Sequence, residues 1–444
     1  MRTMVEAAFE IPGAGPASDY AGELLGSLDC RAVRAEGPPD RPASQAWAAS
    51  GAMALTGFAE GPPRAEPAGV ALVARGAERA LKALAARLGV ALAIDGPALL
   101  AERAALLGLA RRGRTSAGGA SRLLEAADGW VAVTLARPDD LQSLPAWLGE
   151  GPGDDPWSLV ADRLRKWSLA DAVARGRLLG LAVAAAGDLV GPAPVWMRVA
   201  AHGRAVHRRG APPLVVDLSS LWAGPLCTRL LQLAGARVVK VESASRPDGA
   251  RAHPRLFERL NAGKELLALD FASEAGRAAL RELLGRADVV VESARPRALA
   301  QLGIDAESLV AERPGLVWVA ISGHGRREPG AGWVAFGDDA AAAAGLAVLA
   351  GRGGDGPLFC GDAIADPLAG LHAAVAALAC LATGRGALVD LSLRDVAAQA
   401  LRFEGAAAGA RVLACEGGFC VVEGGERQAV LSPVDAMRPS AACR

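Results

Sequence analysis

The chain has 444 residues, of which 52% are hydrophobic and 22% charged, and its 48 basic and 48 acidic residues give a formal net charge of zero. This composition is typical of a globular protein with two or three domains, and the interspersed charges exclude the basic surface that binds nucleic acids. The seven cysteines form no CxxC pair, and no His completes a cluster around Cys415 and Cys420, so we predict reduced thiols in a cytoplasm and no metal site.

The first 200 residues predict helices and one clear strand. Glu6 and Glu10 interrupt the N-terminal stretch and the Ala-rich runs are broken, so we predict neither a secretion signal nor a membrane span. Residues 129–135 alternate as a strand does, and a short apolar segment follows at 181–186. Helical patterns cover 20–28, 45–55, 78–88, 138–148, 157–167 and 169–179. Linkers are expected at 187–194 and 204–213.

Residues 212–242 form the clearest strand, helix, strand unit in the sequence. Residues 214–218 are a short apolar run, which is typical of a strand buried on both faces. Pro225 is expected at the first position of the next helix, because its missing N–H costs nothing there, and Gly235 suits the helix end. Residues 238–241 predict the next strand. Such units are normally parallel, so a nucleotide-like ligand is expected at the carboxyl ends of the strands.

A dinucleotide site is one interpretation of this unit, because Glu242 ends the second strand where an acid would meet a ribose. The loop at 222–225, however, contains one glycine where an NAD or FAD loop has three. We therefore do not predict a conventional NAD site.

The alternation of strands and helices continues to residue 403. Further strands are predicted at 265–270, 287–292, 316–322 and 387–393. Further helices are predicted at 273–284, from Asp305, and at 339–349, 367–381 and 394–403. This order predicts the α/β class with a doubly wound, Rossmann-like parallel sheet. A short strand pair and a partly disordered tail are expected after it.

Four stretches between residues 213 and 400 resemble the family III CoA-transferases (CaiB/BaiF type), which include formyl-CoA transferase, carnitine CoA-transferase and α-methylacyl-CoA racemase. They occur in the family's order and read VVDLSSLWAGPLCTRLLQLAGARVVKVE, LNAGKELLALDFASEAGRAALRELLGRADVVVES, ALAQLGIDAESLVAERPGLVWVAISGHG and GDAIADPLAGLHAAVAALACLATGRGALVDLSLRDV. The resemblance implies an enzyme that takes acyl-CoA as a substrate and holds no tightly bound cofactor.

Asp366 matches the position of the family's nucleophile. A carboxylate at a helix N-terminus can attack an acyl-CoA thioester to give a mixed anhydride, and can then carry CoA as an aspartyl thioester. From the residues alone, Asp366 followed by Pro367 equally suits a helix cap. Asp338 and Asp339 fall near the family's second acidic position, and paired acids that start a helix are also common as caps.

The resemblance also implies where CoA binds. Five residues match the positions that contact CoA: Leu221, Trp222, Ala223, Leu269 and Ser293. Relatives often carry Arg or Lys for the phosphates at three positions that are here Ser243, Ala272 and Gln301. The nearby cations that could replace them are Lys240, Arg246 and Arg251.

Racemases of this fold place a His beside the second acid, and Gly337 or Asp338 occupies that position here. His324 is the only nearby substitute, and a lone His after a strand is usually structural. The residues therefore disfavour proton transfer at an α-carbon.

We predict two regions. Residues 1–205 are interpreted as a degenerate, truncated copy of the same fold with a smaller α+β domain, and residues 206–444 as the copy with Asp366. WAASGAMALTG at 47–57 shares its spacing of small and apolar residues with AAAAGLAVLAG at 341–351. No carboxylate lies between Glu66 and Glu78, where a second nucleophile is expected. The N-terminal half would then supply the small domain in cis.

The sequence thus predicts a cytoplasmic enzyme that moves CoA from an acyl-CoA to a carboxylic acid through Asp366. The dimers of the family imply a homodimer, although a double-copy chain could make the same contacts alone. An acyl-CoA racemase or isomerase and a non-catalytic acyl-CoA-binding subunit are the alternatives.

Overall fold

The computed structural model describes residues 8–438 apart from 152, 190, 205–210, 295 and 355. The chain begins with a parallel strand pair and five helices: β1 (Phe9–Pro12), α1 (Pro16–Ser27), β2 (Ala32–Ala35), α2 (Ala43–Ala49), α3 (Gly69–Arg87), α4 (Gly96–Leu99) and α5 (Glu102–Leu107). A smaller α+β unit follows: β3 (Ser121–Ala126), β4 (Gly129–Thr134), α6 (Pro138–Leu148), α7 (Pro156–Leu164), α8 (Leu169–Leu178) and β5 (Ala182–Ala185). Its strands form an antiparallel sheet in the order β3-β4-β5, which shares a core with the three helices.

The large sheet and its helices come next: β6 (Met197–Arg204), β7 (Leu214–Asp217), α9 (Ala223–Leu233), β8 (Arg237–Ser243), α10 (Pro254–Asn261), β9 (Glu265–Leu269), α11 (Glu274–Arg286), β10 (Val289–Glu292), α12 (Pro296–Gln301), α13 (Ala306–Glu312), β11 (Val317–Ser322), α14 (Gly337–Ala343), α15 (Leu346–Ala350), α16 (Ala365–Thr383), β12 (Arg385–Ser392) and α17 (Leu393–Ala397). The chain ends with an antiparallel sheet and a last turn of helix: β13 (Arg411–Cys415), β14 (Gly418–Glu423), β15 (Glu426–Ala429) and α18 (Pro433–Ala436).

The seven-stranded sheet has the order β6-β12-β11-β10-β7-β8-β9, with β7 to β12 parallel and β6 antiparallel at one edge. From β7 the chain winds first toward β9 and then, from β10, in the other direction. The topological switch point therefore lies between β7 and β10, where ligands of such sheets bind beyond the carboxyl ends of the strands.

Both faces of this sheet are buried because successive side chains of its strands point to opposite sides. Val215 belongs to the core that includes α9 and α16, whereas Val216 belongs to the core that includes α11 and α13. This two-sided burial confirms the α/β class and the doubly wound parallel sheet.

Helix α16 lies at the centre of the larger core. It packs closely on α9, since a Cβ on Gly370 would lie 2.7 Å from the carbonyl oxygen of Ala223. It also contacts the N-terminal region, where the Tyr20 hydroxyl lies 2.8 Å from His372 Nε2. Within the described residues, α16 alone is long and apolar enough to cross a bilayer, but 83% of its apolar window is buried inside the protein, as in a core helix.

The differences from the predicted elements have local causes. The helix predicted at 339–349 is divided into α14 and α15, because Gly345 adopts a left-handed φ of +93°. Helix α3 begins at Gly69, well before the prediction at 78–88, and strands β1, β2, β3 and β6 were not predicted. Strand β6 pairs with β12, so the predicted boundary near 205 lies at the end of a strand of the large sheet. The two-copy organisation stays a prediction.

Two further predictions fall partly outside the described residues. The linker predicted at 204–213 includes the gap at 205–210, and the tail expected to be disordered ends in 439–444. The C-terminal strand pair is present, and β15 adds a third strand to it.

Candidate functional site

A cavity of about 1100 Å³ lies at the switch point of the large sheet. The C-terminal half contributes Trp222 and Asp366 to its walls, and the N-terminal half contributes Arg103, Ser121 and Arg137. A cavity of about 910 Å³ lies elsewhere, between α8 and residues 328–333, and none of the predicted site residues lines it. All of the predicted site residues except Asp339 and Leu269 therefore line one cavity with walls from both halves.

Asp366 lies in the first turn of α16 and lines the cavity. The backbone N–H of Gly337 lies beside its carboxylate and favours the ionised form. Burial raises the pKa of Asp366 to about 7; Arg103 opposes this shift, and the charges of Asp338 and Asp362 add to it. A carboxyl group with this pKa changes charge near neutral pH.

Gly337 is in close contact with Asp366. A Cβ at this position would lie 2.3 Å from Asp366 Oδ2 and 2.4 Å from the carbonyl oxygen of Ala363, so no side chain fits without displacing one of them. Ala363 itself has a left-handed φ of +43°, which is strained for a residue with a side chain. The turn before α16 is thus held in an unfavourable conformation beside the carboxylate.

The two acids of the Phe-Gly-Asp-Asp segment have different surroundings. Asp338 lines the cavity, accepts a hydrogen bond from the N–H of Ala363 (2.8 Å) and lies 3.2 Å from the Ser121 hydroxyl; burial raises its pKa. Asp339 is fully buried outside the cavity lining and accepts from the Thr134 hydroxyl (3.0 Å) and the N–H of Phe336 (2.9 Å). Asp338 is the acid that faces the cavity, whereas Asp339 caps α14 and anchors it to β4.

Arg103 carries the guanidinium next to these carboxyl groups. Its Nη2 lies 3.2 Å from Oδ1 of Asp362, which is fully buried, and its guanidinium carbon lies 5.9 Å from the centre of the Trp222 ring. Burial raises the pKa of Asp362 to about 7, and the charge of Arg103 opposes that shift. One cation thus balances a cluster of three carboxyl groups, Asp338, Asp362 and Asp366.

Glu102 fixes the position of Arg103. Its fully buried carboxylate binds Arg229 of α9 at 3.1 Å and Arg259 of α10 at 2.6 Å. Helix α5 of the N-terminal region is therefore attached to the C-terminal half by Glu102, while the next residue reaches the cavity. Arg103 and Ser121 lie outside the stretches that resemble a family, and no local signal in the sequence marks them as site residues.

The first loop closes the opposite wall of the cavity. Leu221 is 41% exposed and has a left-handed φ of +68°, and its N–H donates to Asp248 Oδ1 (2.9 Å). Trp222 and Ala223 are buried at the start of α9, and the N–H of Ser220 donates to the hydroxyl of Ser293 (3.2 Å). The loop and the end of β10 are thus joined at the switch point.

Two predicted CoA contacts have unexpected surroundings. Lys240 lines the cavity, but its side chain is fully buried and its ammonium already forms an ion pair with Asp248 (3.0 Å). Leu269 ends β9 and does not line the cavity, whereas Phe271 does.

Of the other cations considered for phosphate, Arg251 is held by Glu242 (2.6 Å). Arg246 is exposed at the cavity, and within the described residues its side chain has no ion pair. Arg246 is therefore the cation placed best to meet a phosphate.

His324 does not reach the carboxylate cluster. It packs edge-on against Trp333 at 5.4 Å and does not line the cavity. Burial, together with the charges of Arg177 and Arg394, lowers its pKa to about 3, so it is neutral at pH 7. Within the described residues, no group of three or more His, Cys, Asp and Glu side chains is arranged to hold a metal ion.

Fold and site together define an α/β protein with a nucleotide-type crevice that ends at a buried carboxylate cluster. The family model for CoA-transferase family III matches residues 213–436, half of the chain. The chain therefore belongs to this family, as the sequence predicts.

Curated relatives are similar over part of the chain. The chain is similar to succinyl-CoA–D-citramalate CoA-transferase of Chloroflexus aurantiacus (31% identical over 193 residues, 41% of this chain and 48% of that protein). It is also similar to formyl-CoA:oxalate CoA-transferase of Escherichia coli (31% over 193 residues, 41% and 46%) and succinate–glutarate CoA-transferase of Agrobacterium fabrum (30% over 207 residues, 42% and 52%). The chain spans about half the length of the curated relatives it matches.

Solved structures are similar over a comparable share. A CAIB/BAIF family protein from Brucella suis is 28% identical with a TM-score of 0.43, over 48% of this chain and 65% of that chain. Rv3272 from Mycobacterium tuberculosis is 26% identical with a TM-score of 0.43, over 48% of this chain and 62% of that chain.

Proposed function

We propose that the protein transfers CoA from an acyl-CoA thioester to a carboxylic acid, with Asp366 as the nucleophile. The observation that carries the proposal is the position of Asp366, which lies in the cavity at the switch point in close contact with Gly337 and has a pKa raised to about 7 by burial. Perturbed carboxyl groups in such crevices are typical of catalytic sites.

The relatives support the substrate class. Their names specify succinyl-CoA and D-citramalate, formyl-CoA and oxalate, and succinate and glutarate, so each pairs CoA with carboxylic acids. For this chain we propose the same class, an acyl-CoA donor and a carboxylate acceptor, without assigning a particular acid.

The reaction follows from the chemistry of a carboxylate and a thioester. The ionised Asp366 oxygen attacks the thioester carbonyl, the C–S bond breaks, and CoA leaves as a thiolate from a mixed anhydride. The thiolate then attacks the aspartyl carbonyl, releases the donor acid and leaves an aspartyl-CoA thioester. The acceptor carboxylate attacks this thioester to form a second anhydride and free thiolate. Attack of the thiolate on the acceptor's carbonyl gives the new acyl-CoA and restores Asp366.

The surrounding groups position the nucleophile. The Gly337 N–H orients one carboxylate oxygen, and Asp338 holds the turn before α16 through the N–H of Ala363. We place the CoA moiety along the first loop at Leu221, Trp222 and Ala223, with Ser293 at the end of β10 and Arg246 toward the phosphates. Because one chain supplies both walls, the proposed reaction needs no second copy.

The test is the intact mass of the protein after incubation with a panel of short acyl-CoAs. We expect an acyl or CoA adduct on the wild type that hydroxylamine removes, and none on Asp366→Ala. Asp171→Ala is the matched control, because Asp171 also lies in the first turn of a helix but outside the cavity. CoA binding without an adduct from any donor would instead favour a non-catalytic acyl-CoA-binding subunit.

A further inference from the structure

We propose that Arg103, supplied by the N-terminal half, binds the carboxylate of the acceptor acid during the step in which Asp366 carries CoA. This inference rests on the proposed function and adds a residue that the family match does not include, since that match begins at residue 213. It also defines where the acceptor binds, which is next to Asp362 and Trp222 at the Asp366 end of the cavity.

The surroundings of Arg103 leave it able to bind an anion. Its side chain is 23% exposed and lines the cavity, and within the described residues Asp362 is its one ion-pair partner. A guanidinium has five N–H donors in a planar fork, so one carboxylate contact leaves donors for a second. Trp222, whose ring centre lies 5.9 Å away, covers one face of the group.

The other cations near this end of the cavity are already engaged. Arg137 lines the cavity, but its guanidinium is held by Asp140, with Nε 3.0 Å from Oδ1, and lies over the Phe336 ring. Lys240 is buried against Asp248. An acid that enters beside Asp366 therefore meets Arg103 as the available positive charge.

The charge balance explains why the acceptor binds at that stage. While Asp366 is ionised, its carboxylate competes for Arg103 and repels a second anion, since like charges at close range disfavour each other. Formation of the aspartyl-CoA thioester makes residue 366 neutral and removes one negative charge. The acceptor carboxylate restores that charge, and its oxygen is then placed to attack the aspartyl carbonyl. The site thus takes up an acid only when it is ready to react with one.

The experiment measures acid binding without the reaction. Asp366→Asn makes residue 366 neutral, as in the thioester, and isothermal titration with succinate and with acetate at pH 8 gives the dissociation constants. We expect Asp366→Asn to bind succinate at least tenfold more tightly than the wild type. Adding Arg103→Gln should weaken binding by at least tenfold, whereas adding Arg103→Lys should retain part of it.

The matched control is Arg259→Gln in the Asp366→Asn background. Arg259 also anchors α5 through Glu102 but does not line the cavity. Unchanged binding in this variant supports a direct contact with Arg103. Equal loss in both variants, equal binding with and without Arg103, or wild-type binding as tight as that of Asp366→Asn would each overturn the inference.

The outcome is separable from that of the proposed function. The adduct experiment uses a donor alone and never requires an acceptor. If no adduct forms but succinate binding depends on Arg103, the proposed reaction fails and the acid site stands. If the adduct forms and binding is independent of Arg103, the reaction stands and this inference fails.

Discussion

The two halves of the molecule contribute to the cavity in different ways. The half that matches the family provides the proposed nucleophile, the loop proposed for CoA and the sheet that positions both. The N-terminal half, outside the match, provides Arg103 and the Ser121 hydroxyl. It is attached to the C-terminal half by a buried carboxylate, Glu102. A family match can thus propose the reacting group while the charge that faces it comes from a region outside that match.

The strongest test of this division is the loss of the nucleophile. Asp366→Asn keeps the size of the side chain but removes its attacking oxygen anion, so we expect turnover to fall by at least about a thousandfold. Steady-state transfer from an acyl-CoA to succinate measures it. Turnover within tenfold of the wild type would show that the family-matched half does not act through Asp366.

Glu102 tests the attachment between the halves. Glu102→Gln removes the buried negative charge that Arg229 and Arg259 share, and breaking such pairs costs about 3–5 kcal/mol of unfolding free energy. We expect the lower end of that range because Arg259 is 41% exposed. Urea denaturation measures it. Glu274→Gln, which breaks a largely exposed pair with Arg281, is the control and should cost less than about 1 kcal/mol. Equal effects would mean that Glu102 does not fix the N-terminal half.

Gly337 tests how closely the nucleophile is positioned. In Gly337→Ala the new methyl group meets Asp366 Oδ2 and the Ala363 carbonyl, so the carboxylate must move, and we expect kcat to fall by about 10- to 100-fold. Gly332→Ala is the control, because a Cβ there meets nothing within 4 Å. An unchanged kcat in Gly337→Ala would contradict the proposed geometry.

The raised pKa of Asp366 predicts opposite effects of pH on activity and stability. The nucleophile must be ionised, so kcat/KM should rise with pH and level off above about 8, one unit beyond the pKa of about 7. A folded-state pKa above the unfolded value favours the protonated folded protein, so the contribution of this group to stability is lost as pH rises through 7. Asp366→Asn should therefore raise the melting temperature at pH 8 more than at pH 6. An equal rise at both values would contradict the assignment.

The sequence was informative where local pattern determines structure. The apolar runs at 214–218 and 316–322 predicted strands that are buried on both faces. Gly235 follows the end of α9, whereas α9 begins at Ala223, two residues before the start predicted at Pro225. It was less informative at Lys240, which was considered as a substitute for the phosphate contacts of relatives. Its partner Asp248 lies on a loop, and no spacing rule predicts that ion pair.

The same limit explains Arg103. It is one of many arginines in the chain, and only the long-range packing of α5 on α9 and α10 brings it to the carboxylates. Asp338 and Asp339 could not be separated from the sequence either, because both start α14. Their hydrogen bonds to Ser121 and Thr134, on neighbouring strands of the small sheet, decide which one faces the cavity.

The smallest predicted effect concerns Arg246, which tests the contribution of the family-matched half to CoA binding. Here the expected phosphate contact is an exposed cation, and such pairs are screened by solvent and salt, so Arg246→Gln should raise KM for the acyl-CoA by only about three- to tenfold and leave kcat unchanged. The effect should shrink as ionic strength increases from 50 to about 300 mM. Arg251→Gln is the matched control, because Glu242 already neutralises Arg251 and it does not line the cavity. If Arg251→Gln raised KM more than Arg246→Gln, CoA would lie along a different wall of the cavity. Of the proposed site, only the nucleophile would then remain.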